Sequence, residues 1–241
     1  MVADLIYSDT LIVSDIHAGW RFSRALACAA LIRRFRGRRL IILGDAFHHP
    51  KRRHVDRVTQ ILLDAIIEAA RSGIEVIFVC GNHDPPAEFI ASRLPGVHVC
   101  GEWHWRSGPT RCYAKHGHQF NGHNRHAWFL GEFLQEIPDN VHHFIQRLEG
   151  RRHRFSRFVR RLVERIFHLN DALIDGMAAY IKDTFIETDA AFFGHTHLPE
   201  LRTVGKIKFG NPGCWVGYDD QFISYILIDD LGHIEIYRHA S

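Results

Sequence analysis

The sequence predicts an α/β fold, a sheet covered on both faces with a mostly helical insertion from about 124 to 187, all within a single domain spanning 1–241. Three observations predict it. Apolar, β-branched runs end abruptly in polar residues and glycine, as strands buried on both faces do. A helical pattern lies between two of those runs. The strand rhythm then fades for some sixty residues before returning.

The elements follow in order. "TLIVSD" (10–15), "RLIILGD" (39–45) and "EVIFVCGNHD" (75–84) read as the buried strands. Between the second and third, Val55, Val58, Leu62, Ala65, Ile66 and Ala69 fall on one helical face and Gly73 closes it, which makes a βαβ unit. "RCYAKHG", "AAFFGHTH", "KIKFGNPG", "SYILID" and "HIEIYR" read as shorter strands, the last three antiparallel and joined by turns such as "DDLGH". There is no internal repeat and no low-complexity segment.

Composition bounds the function. The chain has 241 residues and 46% hydrophobic content, enough for a sizeable core, and 30 Lys and Arg against 27 Asp and Glu, which does not by itself point to nucleic acid. Five cysteines, Cys28, Cys80, Cys100, Cys112 and Cys214, never spaced as C-x-x-C, read as reduced core or near-core thiols. The N-terminal residues lack a signal peptide's basic start, and no run approaches the ~18 apolar residues of a membrane span. The expected location is cytoplasmic, with peripheral membrane contact open.

The chemistry sits at strand ends. "SDIH", "GD", "GNHD", "KHGH" and "GHTH" each follow an apolar run, and open α/β sheets place ligands at the carboxyl ends of their strands. Asp, His and Asn without thiolate suit Mn, Fe or Zn at a working site rather than a Cys-rich structural zinc. Histidine enrichment alone would not decide this, since 19 histidines are spread along the chain.

These clusters, in this order, resemble the calcineurin-like metallophosphoesterases, whose ordered motifs D-x-H, G-D, G-N-H-[DE], H and G-H-x-H are present as Asp15-Ile16-His17, Gly44-Asp45, Gly81-Asn82-His83-Asp84, His116-Gly117 and Gly194-His195-Thr196-His197. "GNPG" at 210–213 resembles the loop that often follows G-H-x-H. The resemblance implies an αββα sandwich of mixed sheets flanked by helices. It also implies two divalent metal ions, manganese first, with iron or zinc as alternatives. Asp15, His17, Asp45 and His197 would hold one ion; Asp45, Asn82, His116 and His195 the other. A bridging Asp45 would offset the repulsion of two cations about 4 Å apart, and open positions would hold a water or hydroxide able to attack phosphorus. His83 would protonate the leaving oxygen or stabilise the transition state, with Asp84 fixing its tautomer and orientation. The implied activity is hydrolysis of a small phosphomonoester or phosphodiester.

Other residues near these motifs admit two readings. His48, His49 and His118 are loop residues close enough to the site to touch a leaving group or substrate; His123 and His126 begin the helical segment. Cys80 packs under the "GNHD" loop, and Trp103, Trp105, Trp128 and Trp215 are core or rim residues rather than base-stacking platforms. Size and the helical insertion also resemble the UDP-2,3-diacylglucosamine hydrolase branch, which cleaves a pyrophosphate in lipid A synthesis. That branch's best-known enzymes carry Arg where this chain has His83 and Asp where it has His118. Some proteins of the fold, a retromer subunit among them, are non-catalytic scaffolds with degraded metal sites, whereas every expected ligand is intact here. Finally, "RRHRFSRFVRRLVERIF" (151–167) reads as an amphipathic helix with Phe155, Phe158, Val159, Leu162, Val163 and Ile166 on one stripe. Its region from Arg147 to Arg165 carries eight Arg against two Glu. It is a core-facing helix with a solvated basic face, or one that draws an anionic, lipid-linked substrate or membrane surface toward the site.

Overall fold

The computed structural model of the chain describes residues 4–48, 55–120, 169–217 and 223–238. The proposed helix 151–167, the rest of the insertion up to 168, His49, His123, His126 and Trp128 lie outside the described residues. Two compact units emerge, residues 1–118 with 186–241, and residues 119–185.

The first unit is a mixed α/β fold whose strands obey the apolar patterning. Strands β1 (Ile6–Tyr7) and β3 (Phe35–Arg36) pair as a two-stranded sheet. The six-stranded sheet has the order β13-β12-β2-β4-β5-β6, where β2 is Thr10–Val13, β4 Arg39–Leu43, β5 Glu75–Val79, β6 His98–Cys100, β12 Ser224–Ile228 and β13 Ile234–Arg238. Its β2, β4, β5 and β6 run parallel, and β12 and β13 close one edge antiparallel. The five-stranded sheet has the order β10-β11-β9-β8-β7, where β7 is Glu102–Ser107, β8 Thr110–Lys115, β9 Ala190–Phe192, β10 Glu200–Val204 and β11 Ile207–Asn211.

Alternation along the central strands builds two cores. Leu11, Val13, Leu40, Ile42, Val76 and Phe78 share one core with α1 (Ala25–Arg34) and α2 (Arg57–Arg71). Their neighbours Ile12, Ile41, Leu43, Ile77 and Val79 share the other with Trp105, Cys112, Ala114, Ala190 and Phe192 of the five-stranded sheet. Because side chains of successive strand residues point to opposite faces, an all-apolar strand serves both cores at once. Each such fully buried side chain contributes about 1.5–3 kcal/mol. Asp56 caps α2 by accepting from Thr59 N at 2.7 Å, and the helix ends before Gly73 at φ 92°.

One expectation about the C-terminal strands is corrected. "KIKFGN" becomes β11, which is parallel to β9 and antiparallel to β10, while "SYILID" and "HIEIYR" become the β12–β13 hairpin of the other sheet. Periodicity identifies a strand but not its partner, and the chain leaves the five-stranded sheet after Asn211 and enters the six-stranded one at Ser224. Helix α3 (Ala87–Arg93) follows the "GNHD" loop.

A 3₁₀ turn spans His118–Phe120, and the second unit contains its last two residues and α4, Leu169–Asp183. Leu173, Ile174, Met177 and Ile181 form the buried stripe of α4. Phe120 lies against the helix at Gly176, where a Cβ would come within 2.8 Å of the Phe120 Cβ, and against the Tyr180 ring at 5.7 Å. Among the described residues no helix is long and apolar enough to cross a membrane. All five cysteines are unpaired.

Candidate metal centre

The functional side chains are delivered by turns at the carboxyl ends of β2, β4, β5, β8 and β9. Where β2 ends, Asp15 N donates to Gly44 O at 3.0 Å and His17 N to Asp45 O at 2.9 Å, so the first two loops run side by side. Gly194 N donates to His116 O at 2.9 Å and joins the fourth and fifth in the same way. Asp15, His17, Asp45, His195 and His197 all have left-handed backbone, with φ between 49° and 67°; among described non-glycine residues only Phe185 joins them. Such conformations cost on the order of 1–3 kcal/mol each and persist where the surroundings over-determine them, as at ligand-holding sites.

Two triads result. Asp15, His17 and His197 form one and Asp45, His116 and His195 the other, the ligand-type atoms within each lying inside 4.8 Å of one another. In the first, His197 Nε2 is 3.2 Å from both His17 Nε2 and Asp15 Oδ1. In the second, His116 Nε2 is 3.2 Å from Asp45 Oδ2. The residues that support the triads also set their orientation. His116 Nδ1 donates to Leu43 O at 2.9 Å, which leaves Nε2 for the site, and His195 N donates to the Asp15 carboxylate at 3.0 Å. Asp15 also receives the Ser14 hydroxyl.

Burial and charge compete here. Burial opposes ionisation of Asp45, but the imidazoles of His116, His17 and His83 outweigh it and hold the carboxyl well below the usual carboxylate range. Burial likewise opposes a charge on His116, yet the Asp45 carboxylate holds its pKa up at about 9. His197 stands at about 10, its burial outweighed by Cys214 and Asp15. His17 and His195 fall to about 3, driven first by burial.

The donor set fits divalent cations. Asn82 Oδ1 is buried with no hydrogen-bond partner, although buried polar atoms are nearly always paired. Two imidazole nitrogens facing each other across 3.2 Å are joined more naturally by a shared electrophile than by each other. The glycines of the motifs make the room: a Cβ on Gly44 would meet His116 Nδ1 at 2.2 Å, and one on Gly194 would meet Asp15 Oδ2 at 2.5 Å.

His83 and Asp84 divide their work differently from the expectation. Asp84, buried, accepts from Asp45 N at 2.7 Å, Phe47 N at 3.0 Å and Gly81 N at 2.8 Å. It clamps the Asp45 loop to the Gly81 loop and makes no hydrogen bond to the His83 ring, because its oxygens are taken by these backbone donors. Burial, followed by Asp45, pushes its pKa up to about 7. His83 Nδ1 instead faces the His48 carbonyl at 3.2 Å, and His83 N donates to Asp45 Oδ1 at 2.8 Å. His118, partly buried, has its ring 5.6 Å from that of His116 and 6.3 Å from that of His195.

Two further residues support the site, and the "GNPG" motif is the advance signal for the first. Asn211 donates to Gly194 O and Thr196 Oγ1, at 3.2 and 2.8 Å, and accepts from Gly213 N at 2.8 Å, tying "GNPG" to "GHTH". Trp215, fully buried, donates its backbone N–H to Asp15 O at 3.0 Å. Cys80 is half-buried, and burial pushes its thiol up to about 12, which fits a packing residue.

Comparisons with known proteins agree with this architecture. A novel archaeal phosphodiesterase of known structure is 13% identical, covering 95% of this chain and 98% of that chain at a TM-score of 0.52. The phosphoesterase Yfce from E. coli is 17% identical, covering 96% and 99% at 0.49. Vps29 from Entamoeba histolytica, solved in complex with Zn+2, is 16% identical, covering 95% and 97% at 0.48. At these identities the likeness concerns the fold alone, and the archaeal structure carries it. No match was found among curated proteins. The model of the calcineurin-like phosphoesterase superfamily domain matches residues 9–230, nearly the whole length. Matched over nearly its whole length, the chain belongs to the calcineurin-like phosphoesterase superfamily.

Proposed function

We propose that the protein is a metal-dependent phosphoesterase that hydrolyses a small phosphomonoester or phosphodiester at a dinuclear centre. The observation that carries this reading is the pair of Asp/His triads gathered at the carboxyl ends of strands from both sheets. Asp15, His17 and His197 would hold one divalent ion and Asp45, His116 and His195 the other, with Asn82 and a shared Asp45 as further ligands. Oxygen and imidazole donors without thiolate suit manganese, iron or zinc. The ions supply Lewis acidity to the phosphoryl group and to water.

The chain's own residues do the rest. His116 is kept in one orientation by Leu43 O and His195 by its backbone bond to Asp15, so ligand geometry is set before substrate arrives. Asp84 fixes the distance between the Asp45 and Gly81 loops through three backbone N–H groups. His83, oriented through Nδ1, offers Nε2 to the leaving oxygen and in its imidazolium form donates a proton there.

The test offers the purified protein, supplied with Mn, nitrophenyl phosphate mono- and diesters, UDP-diacylglucosamine and cyclic nucleotides. The reading expects metal-dependent hydrolysis of at least one ester and a loss of about 10³ or more in Asp45→Asn. No turnover of any ester by the metal-loaded protein, or an Asp45→Asn variant as active as the parent, would overturn it.

A further inference from the structure

Three aromatic rings lie in register beside the triads. The Trp20 indole is stacked on the His48 imidazole with centroids 5.0 Å and planes 8° apart. His48 is in turn parallel to His83, with centroids 6.3 Å and planes 3° apart. His17 meets all three, its ring centroid 6.3 Å from Trp20, 5.7 Å from His48 and 5.1 Å from His83. The stack ends at a polar contact, since His83 Nδ1 lies 3.2 Å from the His48 carbonyl oxygen. A carbonyl oxygen can only accept, so this bond requires the proton on Nδ1 and leaves Nε2 for the substrate side.

What fixes the His48 carbonyl therefore fixes His83. Asp84 does not, because its oxygens are held by backbone N–H groups. His48 N donates to Ala18 O at 3.1 Å and pins the amide side of the residue. Its ring is pinned by Trp20, which sits on a tight turn directly after His17: Trp20 N donates to His17 O and Ser23 N to Trp20 O, each at 3.0 Å, and Ser23 Oγ donates to Ile16 O at 2.6 Å. Trp20 is only partly buried, so filling the core does not account for it.

We propose that Trp20 is a positioning residue for His83, acting through its stack on His48 to hold the carbonyl that sets the tautomer and aim of the His83 ring. The proposal rests on the phosphoesterase reading only for the consequence at the leaving group; the tautomer itself is independent of turnover. It predicts that the loop between β2 and α1 tunes how well the enzyme handles esters whose leaving oxygen needs a proton.

The experiment compares the parent with Trp20→Leu, which keeps an apolar side chain without the ring, and Trp20→Phe, which restores a ring. In zinc-loaded full-length protein, nitrogen-15 NMR of neutral His83 should show the Nδ1–H tautomer in the parent and in Trp20→Phe, and a mixture of tautomers in Trp20→Leu. In Mn-loaded protein, Trp20→Leu should lower kcat about tenfold for phenyl phosphate and less than about twofold for 4-nitrophenyl phosphate, with KM unchanged. Trp20→Phe should recover the loss, and in a His83→Ala background Trp20→Leu should add none. An unchanged tautomer in Trp20→Leu, an equal loss for both leaving groups, or a loss additive with His83→Ala would each overturn the proposal. Absence of turnover in the parent would sink the phosphoesterase reading, while the NMR comparison would still decide the role of Trp20.

Discussion

At Gly81 the site has no room for a methyl group. A Cβ there would stand 2.1 Å from Asp45 Oδ1 and 2.5 Å from Asp45 N, in a loop already clamped by Asp84. Gly81→Ala should therefore displace the Asp45 carboxylate and weaken Mn binding by at least about tenfold, as disturbed supporting shells do. Titration calorimetry checks it, and parent-like affinity would show that the loop yields more easily than its packing suggests. The residue scale is also where the sequence was most legible. Asp15, His17, Asp45, His116, His195 and His197 announce themselves because each stands at a fixed offset from a strand-ending apolar run. Asp84 did not announce its task, since its partners, Asp45 and Phe47, lie 39 and 37 residues earlier and are backbone groups, which no side-chain pattern encodes.

At the scale of elements, the sheet that carries His116 and His195 is fastened where β8 begins and just before β9. Arg111 donates to Asp189 through Nε at 3.0 Å and Nη2 at 2.9 Å, and its backbone N–H reaches the same carboxylate at 2.9 Å. The Arg111 side chain and then its backbone N–H hold the Asp189 pKa down at about 2. A carboxyl whose folded pKa lies below its unfolded value near 3.8 contributes stability that is present above that value and lost as pH falls through the folded one. Asp189→Asn should accordingly lower Tm at pH 7 and have progressively less effect between about pH 4 and 2. Thermal melts across that range test this, and a Tm difference that stays constant down to pH 2 would remove the ion pair from the account. Strand identity was readable here and strand partnership was not: β11 and β12 look alike in sequence and lie in different sheets. Strand β7, "EWHWRS", carries no strand signature because charged and aromatic residues alternate in it without an apolar run, and its Trp105 is nonetheless buried.

On the scale of the whole molecule, two sheets share one core and their carboxyl-end loops meet over it, so that residues from position 15 to position 197 gather into two triads. The parallel order β2-β4-β5-β6 fixes the loops bearing Asp15, Asp45 and Asn82 side by side, and β8 and β9 do the same for His116 and His195. On the reading proposed above, this arrangement holds two ions through two separable halves. Its most direct measurement is the number of Mn ions bound per chain at saturation, by equilibrium dialysis and elemental analysis, in the parent, in His197→Ala and in His116→Ala. Two ions are expected in the parent, with His197→Ala weakening one and His116→Ala the other, so that each variant holds one tightly; a parent that binds one ion or none at saturation would contradict the dinuclear reading.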